Sequence, residues 1–204
     1  MSTKQRILDQ ALLQFNTEGV ERITTRHIAK ELGISQGNLH YHFPNKDALI
    51  SHLFTDFLSE TERAKKFPKS DLQNPVEVID SMTDNFNIML KYQFLFRDNE
   101  VVWRRVPEIK ADVIQLFQSY KLRIIELIAT YKQSGLIRNE ISDTQLNYLA
   151  DQFVFNISTW LVGNTYVGKI KNPHEFYAKT LFRLWLPYLK VEEMQKWEQI
   201  LTKL

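Results

Sequence analysis

The stretch from Thr24 to Lys46, TTRHIAKELGISQGNLHYHFPNK, constrains the fold of this chain more than any other segment. Thr24 is placed to cap a short helix, because its hydroxyl can accept hydrogen bonds from the free amides of the first turn. Gly33 ends that helix, since glycine readily adopts positive φ. Ser35 is placed to cap a second helix over residues 36–42. This layout predicts a helix-turn-helix, in which the second helix enters the major groove of DNA.

Helical geometry indicates which side of the second helix would face a groove. At about 100° per residue, one face of the helix is polar and Leu39 lies on the opposite side. The polar face consists of Gln36, Gly37, His40 and Tyr41, flanked by Asn38 and His42. The glycine lets the helix backbone come close to a base edge, and glutamine and histidine side chains can hydrogen-bond to bases. The flanking residues lie where phosphates would run.

The segment ITTRHIAKELGISQGNLHYHFPNKDALI resembles the DNA-binding domain of the TetR family of bacterial repressors. That family has the pattern I-A-x-x-x-G-[VI]-S-x-G-x-L-Y-x-H-F-x-x-K-x-x-L after a pair of threonines. Its anchors stand here at Thr25, Ile28, Ala29, Gly33, Ile34, Ser35, Gly37, Leu39, His42, Phe43, Lys46 and Leu49. One position departs from the pattern, because His40 stands where the family usually has tyrosine and Tyr41 follows it.

The resemblance implies a DNA-binding role for particular residues of this segment. Contacts with base edges are implied for Arg26, Gln36, Gly37 and His40. Contacts with phosphates are implied for Thr25, Asn38, Tyr41, His42 and Lys46. The charge distribution agrees with a nucleic-acid partner: residues 22–46 carry four basic residues and one acidic residue, whereas the whole chain has a net charge of only +2.

The rest of the chain has the pattern of helices. From Pro75 onward, apolar residues recur at spacings of three and four, and no segment alternates as a strand would. We therefore predict an all-α protein with a three-helix helix-turn-helix DNA-binding head over residues 1–47. A helical-bundle domain for ligand binding and dimerisation is predicted over residues 48–204. Within the second domain, residues 67–75 are predicted to form a loop, because they contain two prolines and several turn-forming residues.

Composition and motifs argue against several other classes of protein. The 204 residues include no cysteine, which excludes disulfides and thiolate metal sites. His40 and His42 point about 200° apart on a helix, so we expect no metal site. The chain has no signal-peptide core and no apolar run that could span a bilayer, so we expect a cytoplasmic protein without a membrane partner. Without nucleotide-binding, nucleophile-elbow or zinc-protease motifs, we expect no enzyme activity and no cofactor. A helical enzyme lacking a recognisable motif and a protein-interaction module are the alternatives.

Aromatic residues of the second domain predict two further sites. The chain contains 13 Phe, 8 Tyr and 4 Trp, and helix bundles commonly hold ligands between their helices, although core packing is the commoner role for any single ring. The candidate ligand-binding residues are Phe86, Phe94, Trp103, Phe117, Tyr120 and Phe153, and the expected effector is small and apolar or aromatic. Residues 181–189 form a segment that is apolar nearly all round, which predicts that a second subunit covers it. The candidate centre of that dimer interface is Trp160, Leu181 and Trp185.

These features predict a sequence-specific transcriptional regulator, namely a ligand-responsive repressor. A homodimer would bind a near-palindromic double-stranded DNA operator, because the symmetry of the protein is matched by the symmetry of its site. Ligand binding is expected to tilt the helix that begins after Asn45. This tilt would change the spacing between the two recognition helices of the dimer.

Overall fold

The computed structural model describes residues 1–64, 74–167 and 171–203. These residues form eleven α-helices: α1 Thr3–Glu18, α2 Thr25–Glu31, α3 Gln36–His42, α4 Lys46–Ala64, α5 Pro75–Lys91, α6 Phe94–Arg97, α7 Asn99–Arg105, α8 Pro107–Gln133, α9 Asp143–Val167, α10 Pro173–Arg183 and α11 Val191–Lys203. A 3-10 helix at Leu186–Tyr188 lies between α10 and α11. The predicted all-α fold is confirmed.

Side-chain caps define the N-terminal ends of the first four helices. The side chains of Ser2, Thr24, Ser35 and Asn45 each accept a hydrogen bond from the backbone amide three residues later, at 2.9–3.3 Å. Such caps satisfy amides that have no partner inside the helix. Between α2 and α3, Gly33 has a φ of +65°, in the left-handed region that favours glycine. The predicted caps and the predicted turn are therefore present.

The helices pack into two units. Unit 1 comprises Met1–Glu62 and Ile88–Val113, and unit 2 comprises Arg63–Asn87 and Ile114–Leu204. Unit 1 therefore contains the helix-turn-helix together with most of α4 and with α6 and α7. This division by packing differs from the predicted division into residues 1–47 and 48–204. The difference arises because hydrogen bonds between distant parts of the sequence hold unit 1 together.

Arg97 and Asp98 fasten the end of α1 within unit 1. The Arg97 guanidinium donates to the carbonyls of Phe15 and Asn16 at 2.9 and 2.7 Å, and the Val20 amide donates to Asp98 Oδ2 at 2.9 Å. A cation at the last carbonyls of a helix is also favoured by the helix dipole. These partners lie 78 to 82 residues apart in sequence, so no periodic pattern could reveal them.

An aromatic core in unit 2 encloses the segment that we expected a second subunit to cover. Tyr131, Trp185 and Trp197 are fully buried, and the Tyr131 ring centroid lies 5.1 Å from Trp185 and 5.6 Å from Trp197. The ring of Phe182 stacks on Trp197 at 4.8 Å. Tyr131 of α8 and Trp197 of α11 in the same chain thus cover Trp185 and Phe182, whereas Arg183 and Pro187 of this segment are exposed. The expected cover by a second subunit is therefore not needed at Phe182 and Trp185. Within this segment α10 ends at Arg183, and Pro187 forms part of the 3-10 turn that follows.

Tyr131 makes the stability of this core depend on pH. Its hydroxyl is buried without a hydrogen-bond partner among the described residues, and burial raises the pKa of Tyr131. The unfolded chain releases this proton near pH 10 while the folded protein still holds it, so the free energy of unfolding should fall by about 1.4 kcal/mol per pH unit above pH 10. Tyr131→Phe is expected to remove this loss, as measured by urea unfolding at pH 7 and pH 11. Tyr41→Phe, at an exposed position, is the control, and equal losses in both variants would contradict the assignment.

The sequence predicted a loop at residues 67–75, no membrane-spanning segment and no metal site. The predicted loop Phe67–Pro75 lies outside the described residues except for its last two positions, and Pro75 is the first residue of α5. Across residues 1–64, 74–167 and 171–203, no helix is long and apolar enough to cross a membrane. Within the same ranges, no three His, Cys, Asp or Glu side chains group as metal ligands would.

Candidate nucleic-acid interface and ligand site

Helix α3 has one buried side and one exposed side. Leu39 is fully buried, whereas Tyr41 is 86% exposed. The exposed residues of the helix are Gln36, Gly37, Asn38, His40 and Tyr41, while His42 is half-buried. The ring of His42 lies edge-on to Tyr41 with centroids 5.2 Å apart. The polar face that helical geometry predicted therefore points to solvent, and its contact with DNA stays a prediction.

A hydrogen bond joins the first residues of α2 and α3. The Gln36 amide donates from Nε2 to Thr25 Oγ1 at 2.8 Å, and Arg26 is exposed beside Thr25. This bond leaves the amide oxygen of Gln36 available as an acceptor and limits the orientations of its side chain. Two of the predicted DNA-binding residues are thereby joined at one edge of the helix-turn-helix, and a third, Arg26, follows Thr25 in sequence.

Gly37 occupies a position where the fold itself does not require glycine. Its φ is not positive, and a Cβ built there would lie 3.9 Å from Ser35 Oγ, which is ordinary van der Waals contact. Glycine inside a helix costs up to about 1 kcal/mol relative to alanine. The protein's own packing therefore gives no reason for glycine here, whereas close approach of an external molecule to the α3 backbone does.

Lys46 uses its ammonium group inside unit 1. Its Nζ donates to the carbonyls of Val20 and Ile23, both at 2.7 Å, with a longer contact to Glu21 at 3.4 Å. Burial lowers the pKa of Lys46, and the nearby Arg105 guanidinium lowers it further. These bonds hold the loop between α1 and α2 against the start of α4. The sequence pattern did not indicate this internal role.

The six candidate ligand-binding aromatics are divided between the two units. Phe94 and Trp103 belong to unit 1. Phe94 is fully buried with its ring centroid 5.4 Å from that of Phe15, and Lys110 Nζ lies 5.6 Å from the ring centroid of Trp103. Phe94 is thus a core residue of unit 1 that packs α6 on α1, and its predicted contact with a ligand stays a prediction.

The other four candidates belong to unit 2. Phe153 is buried in the core with its ring centroid 5.1 Å from Trp185, and its contact with a ligand stays a prediction. Phe117 and Tyr120 are half-buried neighbours on α8, and the Tyr120 hydroxyl donates to Asn85 Oδ1 at 3.3 Å. Phe86 is buried among rings of α9 and α10, described below.

Phe86 lies against two rings that the sequence did not place in a ligand site. Its centroid is 5.0 Å from that of Trp160 and 6.3 Å from that of Tyr177, and these two rings are 4.8 Å apart. Tyr177 stands four residues before the buried Leu181 on α10. That spacing places both on one helix face and could have identified Tyr177 as an inward-facing residue.

The predicted centre of the dimer interface is buried within a single chain. Trp160, Leu181 and Trp185 are each less than 5% exposed, so their side chains are already covered by the protein's own helices. This corrects their assignment to an intersubunit contact. Helices α9 and α10 also carry large apolar side chains that are exposed to solvent. Tyr148 is 65% and Phe155 67% exposed on α9, and Phe176 is 41% exposed on α10.

Family comparisons match nearly the whole chain. Residues 7–53 match the model described as bacterial regulatory proteins of the tetR family, and residues 56–196 match the model described as a bacterial transcriptional repressor. The first match contains the helix-turn-helix. The second match spans more than half of the chain, which is sufficient to assign the family.

Individual relatives agree with this assignment. An HTH-type transcriptional regulator of Staphylococcus aureus (strain USA300) is 28% identical over 186 residues, covering 90% of this chain and 92% of that protein. The crystal structure of a TetR-family regulator from Marinobacter aquaeolei VT8 has a TM-score of 0.85 at 24% identity, covering 100% of this chain and 98% of that one. The complex of SmeT, a repressor from Stenotrophomonas maltophilia, with triclosan has a TM-score of 0.56 at 19% identity, covering 95% and 94%. This chain belongs to the TetR family of bacterial transcriptional regulators, which are DNA-binding proteins and not enzymes.

Proposed function

We propose that this regulator is a ligand-responsive repressor that binds a near-palindromic operator as a homodimer. DNA binding is supported mainly by the exposed polar face of α3 around Gly37. The fold has room for a side chain at this position, yet the residue there is glycine. A helix without a side chain at its second position lets base edges approach its backbone. The head over residues 1–47 carries these contacts.

The proposed contacts divide into two groups with different consequences. Arg26, Gln36, Gly37 and His40 face base edges and determine which sequence is preferred. Thr25, Asn38, Tyr41 and His42 bind phosphates and fix the register of the head on the duplex. Lys46 is moved out of the phosphate group, because its ammonium already donates to the carbonyls of Val20 and Ile23. We propose that Lys46 supports the interface from inside.

The substitution Gly37→Ala is expected to change folding stability and operator affinity in opposite directions. It is expected to raise the free energy of unfolding by about 0.5–1 kcal/mol, because alanine is the better helix former. It should also weaken operator binding about tenfold, equivalent to about 1.4 kcal/mol, because the new methyl group blocks the close approach of DNA. The operator is first selected from a random library of double-stranded DNA, and affinities are then measured by fluorescence anisotropy.

A matched control separates this effect from a general effect of stabilisation. Asn147→Ala changes an exposed residue of α9 to the same better helix former. It should stabilise unit 2 without changing affinity for the operator. Unchanged operator affinity in Gly37→Ala would contradict the proposed approach of DNA to α3, and failure of selection to enrich any sequence would contradict sequence-specific binding itself.

The proposed dimer interface is formed by the exposed aromatics of α9 and α10. Tyr148 and Phe155 lie seven residues apart on α9, which is two helical turns and one face, and α10 packs on α9 and adds Phe176. Large exposed apolar side chains grouped on adjacent helices favour a protein–protein contact. A twofold copy of the same surface would bury all three rings, because an isologous interface uses one patch twice.

The proposed effector acts through α5. Phe86 of this helix lies among the rings of unit 2, and five residues later Lys91 forms two bonds within unit 1. The Lys91 carbonyl accepts from Asn16 of α1 at 2.8 Å, and its ammonium pairs with Glu60 of α4 at 2.6 Å. A shift of α5 would therefore displace α1 and α4, the two helices that Lys91 contacts. This refines the expectation that tilting of α4 alone changes the spacing of the recognition helices. An aromatic effector is supported by the fold relative SmeT, which was solved with triclosan.

A further inference from the structure

Three aromatic rings of unit 2 meet edge to face. Phe86 of α5, Trp160 of α9 and Tyr177 of α10 have centroid separations of 4.8–6.3 Å and interplanar angles of 49–68°. Such tilted and edge-to-face arrangements are the preferred geometry of aromatic pairs. We call these three residues the aromatic triad. Its walls are apolar, so any molecule held against it must present mostly apolar surface.

Two polar groups of the aromatic triad lack partners. Trp160 Nε1 and the Tyr177 hydroxyl are buried and form no hydrogen bond with any described residue. Buried indole N–H and phenol O–H groups usually find an acceptor, and an unmade bond costs about 1–3 kcal/mol. Two unmatched donors on rings 4.8 Å apart therefore indicate that an acceptor completes this part of the protein.

The aromatic triad differs from the other buried rings whose polar atoms lack partners. Tyr131, Trp185 and Trp197 are fully enclosed by the core, and the half-buried Trp103, whose Nε1 also lacks a partner among the described residues, belongs to unit 1. Tyr177, in contrast, is half-buried as a residue although its hydroxyl is buried, and its ring contacts the exposed Phe176 at 5.4 Å. Tyr177 therefore places one edge of the triad closer to the surface than the enclosed rings of Tyr131, Trp185 and Trp197.

We propose that Trp160 and Tyr177 bind an uncharged oxygen acceptor, such as a ketone, ester or lactone carbonyl, on an apolar effector whose body lies against the aromatic triad. A carbonyl oxygen has two lone pairs and can accept from both donors. Phe86 supplies apolar contact and no polar group. This inference rests on the proposed function, because it gives the chemical class of the effector that the regulator senses.

Charge argues against an acidic effector at this place. A carboxylate buried beside three rings would need a cation to offset its desolvation. The cation nearest to Tyr177 along α10 is Lys179, and its ammonium already pairs with Glu175 at 2.7 Å. Burial raises the pKa of Tyr177, so its phenol stays a neutral donor. A neutral acceptor satisfies both donors without burying a charge.

The test uses three probes of nearly equal shape, which are acetophenone, ethylbenzene and benzoate. They present a neutral carbonyl, no acceptor and a carboxylate on the same ring. NMR of the indole N–H groups of the four tryptophans follows binding without DNA, and Trp160→Phe identifies the signal of Trp160. We expect acetophenone to move the Trp160 signal saturably and to bind about tenfold more tightly than ethylbenzene, which is about 1.4 kcal/mol. Benzoate should bind more weakly than either.

Tyr177→Phe keeps the ring and removes one donor, so it should abolish the preference for acetophenone over ethylbenzene. Tyr188→Phe removes a hydroxyl from a tyrosine of the 3-10 helix, outside the aromatic triad and the proposed dimer interface, and should preserve the preference. Equal binding of acetophenone and ethylbenzene, strongest binding of benzoate, or no saturable shift of the Trp160 signal with acetophenone would each overturn the inference. Operator affinity of the unliganded protein is measured separately. If the probe results contradict this inference while operator binding is retained, only the class of effector is wrong and the DNA-binding function is unaffected.

Discussion

Phe155→Asp is expected to convert the proposed homodimer into a folded monomer. Phe155 is 67% exposed on α9, so an aspartate there is solvated in the monomer and costs little stability. In the dimer the same aspartate would be buried against an apolar partner surface, and the Phe155 contact would be lost as well. We expect the dimer to weaken at least about 1,000-fold, equivalent to about 4 kcal/mol. Sedimentation velocity at micromolar protein measures the change in mass.

Two other variants make this result specific. Leu13→Asp introduces the same charge at an exposed leucine of α1 in unit 1 and should leave the mass of the dimer unchanged. Trp185→Asp places the charge in the core beside Tyr131 and Phe153, so we expect an unfolded protein rather than a folded monomer. Circular dichroism distinguishes the two. An intact dimer mass for Phe155→Asp would contradict the proposed interface.

Dimer loss should also reduce DNA binding in a way that follows from geometry. Two heads on one protein bind half-sites whose centres lie about 34–36 Å apart, or multiples of that distance. A monomer engages a single half-site and loses the gain in effective concentration that a linked second head provides. Phe155→Asp should therefore weaken binding to the full operator while leaving binding to an isolated half-site unchanged.

Short-range chemistry explains why the sequence predicted the helix-turn-helix well. Caps at Thr24 and Ser35 act over three residues, and the turn at Gly33 depends on one residue's φ. A periodic pattern then identifies Leu39 as the buried side of α3. Every determinant of this element lies within about one turn of the residue it acts on. Local sequence therefore contains nearly all the information required.

The dimer interface was misassigned because hydrophobicity does not tell an internal face from an external one. Helix α9 carries Phe153 and Phe155 two residues apart, and the first is buried in the chain while the second is exposed. Both read as apolar in the sequence. The largest rings were taken as intersubunit anchors, whereas Trp185 is covered by Tyr131 from α8. Only the packing of distant helices decides which face stays outside.

Long-range polar bonds were also beyond the reach of sequence patterns. Arg97 binds the carbonyl of Phe15, 82 residues earlier, and Lys46 binds that of Val20, 26 residues earlier. A lysine at the start of a helix near DNA looks like a phosphate contact when only its charge and position are known. Its direction depends on where the loop between α1 and α2 lies, which is a property of the folded head.

Lys46→Met tests that internal role directly and is expected to have a large effect on stability. The substitution keeps an unbranched side chain of similar length but removes the donor to the carbonyls of Val20 and Ile23. A hydrogen bond to a charged group contributes about 1.5–3 kcal/mol, and the two abandoned carbonyls are part-buried, so we expect the free energy of unfolding to fall by about 3 kcal/mol. Urea unfolding at pH 7 measures this change.

The dependence of operator affinity on salt separates this role from a phosphate contact. Loss of one phosphate contact reduces the slope of log affinity against log salt by about 0.9. Lys46→Met should leave the slope unchanged, because its ammonium is bound to carbonyls within unit 1. Lys30→Met removes the same charge from an exposed position of α2 and should alter stability by less than about 0.5 kcal/mol. A Lys46→Met variant with unchanged stability and a slope reduced by about one would show that Lys46 turns outward to bind DNA.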